Sequence, residues 1–412
     1  MHAARFVPSV AIATLFVFAS SCASSSSSSP APALTEAGSE AQSTASYPAR
    51  LPGGPEIRSS GGPVIATPNI VPIFFGADPD RAAIESFLRA LPSSTYWKTV
   101  TALYGVGETK VAPSVVVSES LPATLSDGNA RAWLETHLDG PSALLGAPDP
   151  SAIYVLFVPR TTTFGFGSSV SCKDLGGYHS FTRVGATGIA YALVGRCAHL
   201  GGLSGLDVVT VGASHELIEA ATNPSIDESP AFGTVDDDHV AWAMEPGAEV
   251  ADMCDRFSDA YIKPDDLGFM VERVWSNASA AAGHHPCVPV VPGEVYFNVI
   301  PSFDEPVSVK VGNASSPGRG VRVPVGSERT VDVTFVSDGP SDAWEVRAES
   351  ALERTPTLEL SFPDGATARG RNGDVVPLRI RARARGTFGG SVIRLTSTLG
   401  DRRTIWMGFV AN

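Results

Sequence analysis

The sequence predicts an α+β domain followed by an immunoglobulin-like β-sandwich. Three observations carry that reading. Apolar runs of strand length, Asn69–Phe75, Ala152–Pro159 and Gly188–Val194, are interleaved with helix-period segments over roughly residues 47–291. One run, Leu206–Ala213, is almost uncharged and leads into a helix ending at Asn223, with the character of a helix buried on most sides. After Pro289 the helical period disappears, and alternating strands recur between turn residues over 292–412.

In chain order, the first 22 residues have the pattern of an export signal. Met1–Arg5 supplies a positive charge, Phe6–Phe18 is an apolar run too short for a comfortable membrane span, and small residues precede Cys22. This resembles a bacterial lipoprotein signal with Cys22 as the lipidated residue; Ala19 stands where such signals usually have Leu, and plain secretion is the alternative. Residues 23–46 are a Ser/Ala/Pro tract with little to bury, expected to be a disordered tether. Membrane contact is then expected only through the N-terminal lipid, and the location is the bacterial cell envelope or the medium. The net charge of −13 disfavours nucleic acid as a partner.

Asn69–Phe75 is the first strand, and Asp78-Pro79-Asp80 opens a helix through about Ala90 with Ile84, Phe87 and Leu88 on one side. Helical turns continue at Tyr96-Trp97 and Leu103-Tyr104. Val111–Ser118 is a strand, and Asp127–Leu138 is a helix that starts at Ser126 and stops at Asp139-Gly140. Beyond Pro289 the alternating strands include Val295–Val299, Val307–Val311, Thr330–Phe335, Leu378–Arg383 and Thr404–Val410. Arg379, Arg381, Arg383 and Arg385 line one face of a strand, either a solvated face or a surface for an anion.

Apart from Cys22, the cysteines are Cys172, Cys197, Cys254 and Cys287. An even number in an exported chain predicts two disulfides, and three connectivities are open. Cys172–Cys197 with Cys254–Cys287 closes the most local loops. A cysteine-ligated zinc lacks any C-x-x-C spacing.

The chemistry is concentrated in Ser214-His215-Glu216-Leu217-Ile218-Glu219. His215 and Glu219 are four apart, so they share a helical face, and Glu216 lies about 100° round. This is the H-E-x-x-H metallopeptidase layout with Glu in place of the second His. In that layout the outer residues hold a metal and the inner Glu activates water. The plain alternative is an amphipathic helix with a charged stripe, but no Lys or Arg partners these carboxylates within a turn. The helix is expected to stop at Asn223, before Pro224. A metal needs a further ligand, and Glu245, Glu249, Asp252 and Asp255 are the downstream candidates. Asp236-Asp237-Asp238-His239 is a solvated acidic loop or an independent calcium site.

His215-Glu216-Leu217-Ile218-Glu219 through Thr222-Asn223-Pro224, followed by Glu249-Val250-Ala251-Asp252-Met253-Cys254, resembles the paired signature of the phosphate-induced protein 1 family, the EXORDIUM-like proteins of plants and their secreted bacterial relatives. Gly61–Val64 with Ile73–Gly76, Tyr96–Val100, and Cys172 with Gly177–Ser180 extend the resemblance over roughly residues 60–290. The chain differs by an acidic insertion, Ser225–Met244. The resemblance implies an extracellular or wall-associated protein with a zincin-like helix motif. It implies Glu249 as the third metal ligand, with Asp252 as the alternative. Zn²⁺ is the first choice of metal, and Mn²⁺ and Ca²⁺ stay open for one His and two carboxylates. His179 is either an oxyanion-stabilising imidazole beside the metal or a structural residue tied to the nearby disulfide. The expected activity is that of a zinc-dependent hydrolase, a peptidase with Glu216 as general base, acting on a peptide or a cell-envelope polymer. The alternative is a non-catalytic cell-surface binding protein with a structural metal.

Overall fold

The computed structural model describes residues 47, 53–139, 144–244, 247–311 and 314–412. Cys22, the tether over 23–46 and Glu245 lie outside the described residues. The architecture is mixed α+β and rich in strands. Among the described residues no helix is long and apolar enough to cross a membrane.

The first half is built on a mixed sheet. Its central strands are β1 (Asn69–Phe75), β2 (Ala152–Val158), β3 (Gly177–Val184) and β4 (Thr187–Gly195). β1, β2 and β4 run parallel in that spatial order, and β3 returns antiparallel at the edge beside β4. Two short segments, Lys110–Val111 and Val115–Val117, pair with β1 where the sequence suggests one strand. The strands are near-continuous apolar runs because both faces are covered. Phe74, Val155, Phe157, Ala192 and Val194 pack in one cluster with Leu217 and Ile218, whereas Ile73, Tyr154, Leu156, Tyr191 and Leu193 pack on the opposite face with Leu134.

Helices α1 (Arg81–Ala90) and α2 (Thr95–Ala102) contribute buried residues to the first cluster, and α3 (Asp127–Leu138) covers the other face. Ser94 and Ser126 cap α2 and α3 by accepting from Trp97 N–H and Asn129 N–H. Asp80 precedes α1 without a side-chain cap; it accepts instead from the buried guanidinium of Arg196 at 2.6 Å. The central helix, α4 (Leu206–Thr222), crosses the first face and is buried from Val208 to its end.

The second half is all strand. Phe297–Pro301, Glu328–Ser337, Val375–Ala382 and Leu358–Ser361 form a four-stranded sheet in that order. Glu305–Val311, Ala314–Arg322, Arg402–Ala411, Gly390–Leu399, Trp344–Ala351 and Thr367–Gly370 form a six-stranded one. Their inward residues join the same continuous core as α4. Trp242 meets Trp406 edge-on at 5.9 Å, and Asp238 pairs with Arg319 at 2.8 Å across the junction. Two members of the arginine row are matched by acids: Arg379 pairs with Glu328 and Arg383 with Glu359.

The disulfides are Cys172–Cys197 and Cys254–Cys287. The first ties the segment before β3 to the segment after β4. The second ties the region just after Asp252 to the strand segment Cys287–Val288.

Candidate metal centre

α4 carries His215, Glu216 and Glu219 into the core because the residues around them leave no face for water. Ala213, Leu217, Ile218 and Ala220 are fully buried. Asn223 ends the helix as expected, and its N–H still donates to the Glu219 carbonyl at 2.7 Å. Its side chain then accepts from Ala231 N–H at 2.7 Å and donates to Glu249 Oε1 at 2.8 Å.

β3 supplies the second imidazole. His179 pairs with Ala192, which lies on the face covered by α4, so the two residues share that face. The strand approaches the helix closely at Gly177, where a Cβ would come within 2.8 Å of Glu216 Cγ. Glycine is required there by space rather than by backbone conformation.

The two imidazoles are arranged alike. His215 turns Nε2 to Glu219 Oε2 at 3.1 Å and to Asp252 Oδ1 at 3.8 Å, while Nδ1 meets Glu272 Oε2 at 2.9 Å. His179 turns Nδ1 to Glu216 Oε2 at 3.4 Å and to Glu219 Oε2 at 3.7 Å, while Nε2 faces Glu249 Oε1 at 3.4 Å. The last contact is too poorly aligned to be a hydrogen bond, and His179 Nε2 is a buried atom without such a partner. Glu219 Oε1 is held by the N–H groups of Ala251 and Asp252, both at 3.1 Å, which leaves Oε2 pointing between the rings.

Charge is the defining feature of the cluster. Burial opposes a charge on His215, but Glu219, Glu272 and Glu216 outweigh it and hold the ring well above the usual imidazole range. His179 is raised in the same way, chiefly by Glu249 and Glu216 against the cost of burial. Burial, reinforced by Glu219, pushes Asp252 well above the carboxylate range, and burial pushes Glu272 up to about 8. Glu249 is lowered, because His179 and Asn223 overcome its burial. Five acids thus share a site away from water with two imidazoles, and Asp252 and Glu272 are pushed toward their neutral forms, as buried acids are where no cation offsets their charge. Arg256 is nearby and bonds the carbonyls of Trp242 at 2.7 Å and Asp252 at 3.2 Å.

Two donor sets could therefore hold a metal, each with ligand atoms within 4.8 Å of one another: His215, Glu219 and Asp252, and His179, Glu216 and Glu219. These residue types suit a divalent ion of the Zn²⁺ or Mn²⁺ kind. Of the residues expected from sequence, His179, His215, Glu216, Glu219, Glu249 and Asp252 lie in this one cluster. Asp252 is the acid that joins His215 and Glu219, and Glu249 sits across the His179 ring. Asp255 joins neither set and accepts from Tyr261 OH at 2.7 Å.

Sequence reasoning misses Glu272. It lies on the short strand β5 (Val271–Glu272) and is wholly buried. Its N–H donates to Ser214 Oγ at 3.1 Å, and its carbonyl accepts from Tyr96 OH at 2.6 Å. The local signal is one acid between Val271 and Arg273, which any exposed strand position would show.

A third acidic set, Asp259, His285 and Glu294, is already met by cations. Arg273 bonds Glu294 at 2.8 Å, and Arg402 reaches Asp259 at 3.4 Å. In the acidic insertion, Asp236 accepts from Glu56 N–H at 2.7 Å and meets His239 Nδ1 at 2.8 Å. Among the described residues this segment forms no metal-type set.

No family model matches the chain. No curated protein matches it either. Among solved structures, the chain is similar to a chimeric titin Z1Z2 functionalized with a KLER exogenous peptide from decorin. The identity is 20%, covering 28% of this chain and 95% of that one, with a TM-score of 0.16. A likeness that low carries no argument about fold or activity.

Proposed function

We propose that the chain is an exported, lipid-anchored, metal-dependent hydrolase of the phosphate-induced protein 1 kind. In this reading residues 47–291 are a zincin-like unit, 292–412 are an immunoglobulin-like sandwich, and the activity is that of a peptidase. The observation that supports it best is the pose of His215. One ring nitrogen faces Glu219 and Asp252 while the other is held by a buried carboxylate. An imidazole braced this way is oriented for metal binding. His215, Glu219 and Asp252 hold the ion, Zn²⁺ by preference, with Glu249 as the alternative third acid.

A divalent ion there supplies Lewis acidity and lowers the pKa of water. The remaining chemistry belongs to the chain. Glu216, one residue from His215 on the same helix, takes the proton from the attacking water. His179, 3.4 Å from Glu216, donates to the oxygen on which negative charge develops. Substrate reaches the centre from the side of Glu249, whose side chain is 14% exposed while those of His179, His215 and Glu219 are 3–5% exposed.

That burial also favours a second reading, a cell-surface binding protein whose metal is structural. Mixed-peptide digestion read by mass spectrometry separates the two. Wild type is expected to cleave, and Glu216→Gln to keep metal and fold while losing at least about 10²-fold in rate. No cleavage by metal-loaded wild type moves the assignment to the binding protein. Cleavage that survives both Glu216→Gln and a chelator removes the hydrolase reading.

A further inference from the structure

We propose that the centre takes a second divalent cation, held by His179, Glu216 and Glu219, and that this cation inhibits the enzyme by occupying Glu216. The proposal rests on the metallohydrolase reading above for its first ion and for the role of Glu216.

The donors fall into two sets that share one residue. His215 and Asp252 group with Glu219 in one set, and His179 and Glu216 group with it in the other. Glu219 Oε2 is the shared atom, 3.1 Å from His215 Nε2 and 3.7 Å from His179 Nδ1. Its other oxygen is committed to two backbone N–H groups, so the carboxylate is fixed with Oε2 toward both rings.

The second set is more than a group of acids. His179 is 3% exposed in its side chain and brings a nitrogen donor from a different element, β3. Its Nε2 lacks a hydrogen-bond partner while facing Glu249 Oε1 at 3.4 Å. A cation on Nδ1 leaves Nε2 as the N–H of the ring, and a small rotation then lets it donate to Glu249. Glu249 is itself braced by Asn223 at 2.8 Å. This repeats the arrangement of His215 with Glu272: one nitrogen toward Glu219, the other toward an orienting carboxylate. A second divalent ion there would also add positive charge beside Glu216 and Glu249, the two acids that face His179 at 3.4 Å. A carboxylate bound to a cation is a poor proton acceptor, so loading the second set removes the general base.

The test is Zn²⁺ titration of the full chain, with bound zinc measured after equilibrium dialysis and fold checked by circular dichroism. Wild type is expected to take two equivalents, the second more weakly. His179→Gln and Glu216→Gln are each expected to keep the first equivalent and weaken the second at least about tenfold. Saturation at one equivalent, unchanged by either substitution, overturns the second site and leaves the hydrolase reading intact. Saturation at one equivalent that His179→Gln weakens also overturns it, since both imidazoles would then serve one ion. No zinc uptake by wild type removes this proposal and the metallohydrolase reading together. Where two equivalents bind, peptide cleavage is expected to fall as the second loads, and undiminished cleavage overturns the inhibitory role.

Discussion

Glu272 Oε2 lies 2.9 Å from His215 Nδ1, and this contact joins two elements 57 residues apart. Ser214 and Tyr96 hold the Glu272 backbone on either side, which fixes where its side chain starts. With a cation bound, Glu272 keeps the ring proton on Nδ1, so that the Nε2 lone pair is the one turned toward Glu219 and Asp252. Glu272→Gln can reverse its amide and donate, favouring the wrong tautomer. Zinc affinity is expected to fall about 10–100-fold with the fold retained. Zinc content after dialysis against a graded chelator measures this, and an unchanged affinity means His215 is held by packing alone.

Asp252 and Glu249 are separated by the same measurement. Asp252 lies in one donor set with His215 and Glu219, whereas Glu249 faces His179 and Asn223. Asp252→Asn is expected to weaken the first zinc by more than the roughly 10–100-fold typical of an outer partner. Glu249→Gln is expected to spare it. The reverse order makes Glu249 the ligand and requires the Glu249–Ala251 segment to rearrange when metal binds.

How much of this was legible in the sequence follows from where each relationship resides. The helix is legible because His215, Glu216 and Glu219 declare themselves by spacing within five residues. The start of α3 at Ser126 and the local disulfides are likewise short-range facts. The choice between Glu249 and Asp252 is not, since it depends on two N–H groups of the helix α5 (Asp252–Asp255) and the residue before it gripping Glu219. β3 escapes notice because His179, Ser180, Thr182 and Arg183 break its apolar pattern. These polar residues are tolerated because His179 meets the acids of α4 and Ser180 accepts from Arg131 at 3.0 Å. Glu272 is invisible for the same reason: its partner is distant in sequence.

Gly177→Ala probes the contact between β3 and α4. The added methyl would stand 2.8 Å from both Glu216 Cγ and the Leu193 carbonyl oxygen. Neither has room to retreat, since the strand pairing fixes one and the buried helix fixes the other. The variant is expected to lose about 1–3 kcal/mol of stability through overpacking. It should also lose cleavage through displacement of Glu216 while still binding the first zinc. Chemical denaturation and metal analysis check the two halves, and full cleavage by the variant would mean that Glu216 is not placed by this contact.

Asp259 gives a pH-dependent prediction about how the two halves of the chain are joined. Its Oδ2 lies 3.2 Å from His285 Nε2, 3.8 Å from Arg273 and 3.4 Å from Arg402, which comes from the C-terminal sheets. Burial opposes its charge, but His285, Arg273 and Arg402 outweigh that and hold its pKa well below the usual carboxylate range. A carboxyl with a folded pKa below its unfolded value, near about 3.9, stabilises the fold at pH values above that unfolded value. The contribution is lost as pH falls through the lower, folded pKa. Asp259→Asn is therefore expected to cost on the order of 3 kcal/mol at pH 7, the scale for breaking a buried ion pair. The gap from wild type should narrow as pH drops below about 4 and vanish below the folded pKa. Urea denaturation of both proteins at pH 7, 5 and 3 measures it. A gap that stays constant across the three would show that Asp259 acts through packing and hydrogen bonds, with no net contribution from its charge.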